Sequence, residues 1–124
     1  MANVHTPSKR PGEAGTLTLD TTEAGIVLKN NLDPMLVYIV GTCKLSVRGT
    51  GWTGAITVKK RPVGTAFSGV TTIYQIGNSD TVVAAGTPIS ADQEYYVRAD
   101  MDEIILDYAH TGGSVTVAYG YRVG

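Results

Sequence analysis

Four carboxylates crowd one short stretch of this chain: Asp100, Asp102, Glu103 and Asp107. Paired carboxylates can move protons, and Asp100 with Asp102 offers oxygens of the kind that calcium takes. The EF-hand pattern is absent, because no glycine follows at the right place and no glutamate closes a twelve-residue loop. The cluster therefore reads as a charged loop running into a strand whose outer face is solvated. Lys59, Lys60 and Arg61 form a short basic run, joined loosely by Lys9 and Arg10. Nucleic-acid binders show larger basic fields with interleaved aromatics, and on an edge strand lysines discourage sheet-to-sheet aggregation. Cys43 is the one cysteine. A thiol nucleophile needs a base, and the histidines are His5 and His110 alone. Cys43 reads as a small buried hydrophobe and His110 as an exposed turn residue. The two histidines make no zinc spacing.

Gly49, Gly51 and Gly54 match the G-x-G-x-x-G pattern. In a dinucleotide site those glycines lead into a helix N-terminus that holds the pyrophosphate. Here Ala55 to Lys59 reads as a strand, so the pattern marks a glycine-rich loop between strands. Trp52 sits in that loop, and it or the Tyr95–Tyr96 pair could stack on a sugar ring. No G-x-S-x-G, P-loop or H-E-x-x-H motif occurs. The residues thus suggest no catalytic constellation, no cofactor and no metal, and an enzyme is the least favoured class.

The scaffold that must position these residues is legible from composition. The chain has 124 residues, the size of one domain. Hydrophobic residues make up 43%, enough for a packed core. The net charge of −1 offers no field to attract nucleic acid or an anionic membrane. The longest apolar run, Met35 to Val40, is far shorter than the roughly 20 residues of a membrane-spanning helix. A single cysteine excludes an intrachain disulfide. The opening residues lack the apolar stretch of a secretion signal.

Met1 to Gly15 carries Pro7, Pro11, Gly12 and Gly15 and little apolar bulk, so it reads as a flexible arm ahead of a domain from Thr16 to Gly124. That domain is rich in valine, isoleucine and threonine, which suit a pleated sheet. Period-two alternation predicts strands at 114–123, 54–61 and 103–108, with others at 16–19, 25–28, 36–40, 44–48, 72–76, 81–85 and 94–98. Asn30 to Pro34, Gly77 to Asp80 and His110 to Gly113 read as turns, the last closing a hairpin. Ser90 to Gln93 matches a helix capping box, but the alternation of Tyr95 and Val97 against Tyr96 and Arg98 favours a strand. Short connections predict antiparallel pairing. The expected fold is all-β: a single antiparallel β-sandwich, jelly-roll or immunoglobulin-like, with a flexible N-terminal arm.

The runs Thr16–Thr22, Gly25–Asn31, Leu36–Gly41, Thr53–Pro62 and Gly113–Arg122 carry a family likeness. In them the chain resembles the small β-sandwich virion proteins of tailed bacteriophages, especially capsid decoration (cement) proteins. The likeness is one of style over Thr16 to Gly124, and it transfers no functional residue. It implies a virion protein on the capsid surface that binds and stabilises the assembled shell. The implied partners are the major capsid protein and further copies of the chain, often as a trimer. The alternative is a carbohydrate- or receptor-binding module of a tail or adhesin, with Trp52 as its platform. If copies associate, misplaced apolar residues mark the contact. Ile105, which shares a face with Glu103 and Asp107, is one candidate and Val4 in the arm is another. Lys9 and Arg10 are the arm's charged candidates for an oligomer or capsid contact.

Overall fold

The computed structural model describes residues 4–5, 15–28, 41–62, 69–76, 81–98 and 102–123. These form β1 (Val4–His5), β2 (Gly15–Leu19), β3 (Glu23–Leu28), β4 (Gly41–Gly49), β5 (Thr53–Pro62), β6 (Gly69–Val70), β7 (Ile73–Gln75), β8 (Thr81–Val83), β9 (Gln93–Arg98), β10 (Asp102–Gly112) and β11 (Val115–Val123). Among the described residues there is no helix, hence none long and apolar enough to cross a membrane. The expected strand at 36–40, the turns at 30–34 and 77–80, Lys9, Arg10 and Asp100 all lie outside the described residues.

The strands build two sheets, ordered β1-β3-β10-β5-β6 and β2-β11-β4-β9-β7-β8. Pairing is antiparallel except for β1 on β3, which is parallel. The all-β, two-sheet architecture matches the sequence reading. Its pairing is nested: β2 joins β11, β3 joins β10, β4 joins β9 and β5 joins β6. The chain thus doubles back along its own length, and β7 and β8 extend the second sheet beyond β9.

Alternation decides what each strand buries. Ile104, Leu106 and Tyr108 of β10 face inward with Ile56 and Val58 of β5 and Ile26 and Leu28 of β3. From the other sheet come Leu19, Leu45, Val47, Val97, Val115, Val117 and Tyr119. Cys43 joins them at 0% exposed, the small buried hydrophobe that was expected.

Nesting requires the chain to cross repeatedly between sheets, and here one expectation fails. The stretch His110 to Gly113 does not close a hairpin, because β10 and β11 belong to different sheets. Gly-Gly serves either a tight turn or an arch, and only the pairing distinguishes them. Gly113 takes φ +70, and a Cβ there would come within 2.9 Å of Trp52 Cα. The glycine-rich loop from Gly49 to Gly54 is a second arch, between β4 and β5. A Cβ at Gly49 would lie 2.5 Å from Trp52 Cδ1 and 2.8 Å from the Ser114 carbonyl oxygen. The two arches therefore meet around Trp52, and the glycines are where they meet because no side chain fits.

Trp52 is 8% exposed and belongs to the core cluster. Its indole Nε1 donates to Asp92 Oδ1 at 2.8 Å, and the same oxygen accepts from the Gly49 amide at 3.0 Å. Asp92 lies within the apparent capping box, but its carboxylate ties an arch in place and caps no helix. Replacing Asp92 with Ala leaves the indole N–H without its partner. That should cost about 1–3 kcal/mol of stability, read by denaturant unfolding followed through Trp52 fluorescence. A change within error would show the hydrogen bond to be dispensable.

Candidate functional site

The residues flagged for chemistry converge on the face of the first sheet turned away from the core. Antiparallel register places Glu103 opposite Arg61, Ile105 opposite Lys59, and Asp107 opposite Thr57. The acidic cluster and the basic run, read separately in the sequence, are thus neighbours on β10 and β5. Lys59 Nζ bonds Asp107 Oδ2, and Arg61 Nε lies 3.5 Å from Glu103 Oε1. This corrects the expectation of a solvated outer face. Glu103 is 7% exposed, Ile105 is 4% exposed and Asp107 is half-buried. Pairing with cations from the next strand lets the carboxylates be buried there.

A single register row crosses the whole sheet: Val4, Val27, Ile105, Lys59 and Val70. The two apolar candidates, Val4 and Ile105, hold positions in that row on either side of Val27. Val27 is 1% exposed, and neither it nor Ile105 belongs to the inter-sheet core cluster. Burial of Ile105 needs no second copy, since it is complete within one chain. Val4, read as part of a flexible arm, stands with His5 in a strand parallel to β3.

Asp107 is held from both sides. Its Oδ1 accepts the Gly25 amide at 2.7 Å while Lys59 bonds Oδ2. Burial by itself would raise its pKa, but the Lys59 hydrogen bond, the Gly25 amide and the Lys59 charge together hold the carboxyl below its ordinary value. A carboxyl so held is ionised at neutral pH, which suits ion pairing and not proton donation. On the second sheet, Glu94 bridges Lys44 and Arg48, each at 3.0 Å. The Lys44 hydrogen bond and charge are the main causes that lower the Glu94 pKa.

The remaining candidates scatter. Trp52, proposed as a stacking platform, has its ring inside the core, because the two arches close over it. Tyr95 points inward at 5% exposed, whereas Tyr96 lies on the outer face and stacks on Tyr74 at 4.9 Å. His110 is half-buried, and its Nδ1 lies 3.4 Å from the Tyr108 hydroxyl. It stands in the first sheet and Cys43 in the second. Among the described residues no group of three or more His, Cys, Asp or Glu side chains is placed to hold a metal ion. Sequence reasoning missed Asp92 and Val27. The first was hidden by a misleading local motif, and the second by the apolar run Ile26–Leu28, in which period two cannot be seen.

Searches against protein-family models, curated proteins and solved structures find no match to this chain.

The sign of the Asp107 pKa shift fixes a pH dependence. Its contribution to stability is fully present above the unfolded carboxylate pKa of about 3.9 and is lost as pH falls through the lower folded value. Asp107→Asn should therefore cost about 1 kcal/mol at pH 7 and progressively less below pH 4. Urea unfolding at pH 7, 4 and 2.5 measures this. A deficit that stays constant over that range would contradict the assignment.

Proposed function

We propose that this chain is a virion structural protein that decorates and stabilises an assembled capsid, with the major capsid protein as its partner. The observation that carries the reading is the nested strand pairing. The sets β2-β11-β4-β9 and β3-β10-β5-β6 are the two sheets expected of a hairpin rolled on itself. We read them as a jelly roll, with β1, β7 and β8 as additions. Jelly rolls are an architecture of viral capsid domains, where a rigid two-sheet body presents its faces and edges to neighbours. The position of Val4 and His5 beside β3 supports a role for the N-terminal segment at a sheet edge. The burial of Trp52 favours this reading over the glycan-binding alternative, whose platform it was.

A decoration protein recognises the shell and not the free subunit, because its site is completed only where neighbouring subunits meet, and many modest contacts then act together. The protein at micromolar concentration should co-sediment with matching assembled capsids and not bind unassembled coat protein. It should also raise the temperature at which those shells release their contents. Absence of co-sedimentation, or equal binding to free coat protein, would sink the proposal.

A further inference from the structure

The single cysteine denies this chain an intrachain disulfide, so a covalent tie between its strands has to come from other side chains. One part of the fold would gain from such a tie. Among the described residues β7 and β8 join the second sheet through β9 alone. β9 pairs with β4 over six positions but with β7 over two, Tyr74 with Tyr96 and Gln75 with Tyr95. A further backbone bond, from the Ile76 amide to the Glu94 carbonyl at 2.9 Å, extends that seam. β8 pairs with β7 over three positions.

The seam carries a stacked pair of tyrosines. Tyr74 and Tyr96 are direct cross-strand partners, and their rings lie nearly parallel, 16° apart with centroids at 4.9 Å. Side chains that leave a sheet from opposite positions stand side by side, so the carbons ortho to the two hydroxyls are neighbours. Both residues are half-buried on the outer face and reachable from solvent, whereas Tyr95, Tyr108 and Tyr119 are buried in the core. Proximity of this kind turns the meeting of two reactive rings into a step within one molecule.

We infer that Tyr74 and Tyr96 form a site of oxidative cross-linking, at which a one-electron oxidant joins the two rings by a carbon–carbon bond. The oxidant is of the class of a haem peroxidase turning over hydrogen peroxide. Each phenol gives one electron to the oxidant and one proton to water. The two phenoxyl radicals couple through their ortho carbons, and the hydrogens on those carbons move to the oxygens, which restores both phenols. One hydrogen peroxide takes up the two electrons and two protons and leaves as two waters. The rings need only turn about χ2 from stacked toward edge-on, a soft torsion. The product closes the chain between Tyr74 and Tyr96 into a loop and fixes β7 to β9, as a disulfide would. This goes beyond the capsid reading and stands without it.

Treating the full chain with a haem peroxidase and hydrogen peroxide, at several protein concentrations, tests the inference. The expected product is a single chain lighter by two hydrogens, with the blue fluorescence of a biphenol, in a proportion that does not fall on dilution. Cleavage before Asp80 and Asp92 parts the two tyrosines in sequence, and their peptides should remain joined. Tyr74→Phe and Tyr96→Phe each keep the ring and remove the hydroxyl, and each should abolish this product. Tyr38→Phe and Tyr121→Phe should leave it intact. In the linked protein the amides of Tyr74 and Gln75 should exchange roughly tenfold or more slowly than before. No link within the chain, links only between chains, a link carried by Tyr38 or Tyr121, a product indifferent to both Tyr74→Phe and Tyr96→Phe, or unchanged exchange in β7 would each overturn the inference.

Discussion

The pairing of β10 with its two neighbours is the constraint on which the rest of this structure depends. β10 lies between β3 and β5, and its alternation assigns opposite duties to successive residues. Ile104, Leu106 and Tyr108 fill the space between the sheets, while Glu103, Ile105 and Asp107 face the other way. A slip of one residue would exchange the two sets, placing carboxylates in the core and large apolar groups on the ion-paired face. The ion pairs to Lys59 and Arg61 form in this register. Each is modest by itself, and their greater effect is to make the alternative register costly.

From β10 the order spreads outward by nesting. Because β3 and β10 pair, β2 and β11 are brought together beyond them, and β4 and β9 on the other flank. Most of these contacts join residues far apart in the chain, so loop closure must precede the gain from packing. The arches that allow nesting are closed by glycines pressed against Trp52 and by the Asp92 carboxylate, which holds the indole and the Gly49 amide at once. One end of the sandwich is thus locked by polar bonds around an aromatic ring.

The strands were legible in the sequence where one face is buried and the other polar, as in Val115 to Val123. What each strand pairs with was not, because register is a property of two segments and the sequence displays one at a time. Lys59 and Asp107 stand 48 positions apart, and read singly they are a basic run and an acidic patch. Gly112 and Gly113 have the chemistry of a hairpin turn, yet the strands they join lie in different sheets. Trp52 in a glycine loop looks exposed until the second arch closes over it. Ile105 looked misplaced because alternation implies that its face is wet, and that face is buried.

The measurement that bears most directly on this account is residue-resolved amide hydrogen exchange of the full chain at neutral pH. Unequal stability across a fold appears there as unequal protection. If β10 organises the molecule, the amides from Ile104 to Tyr108 exchange among the slowest, by global opening, while those of β8 exchange far sooner. Amides of β10 that exchange as fast as those of β8 would contradict the claim that its register holds the two sheets together.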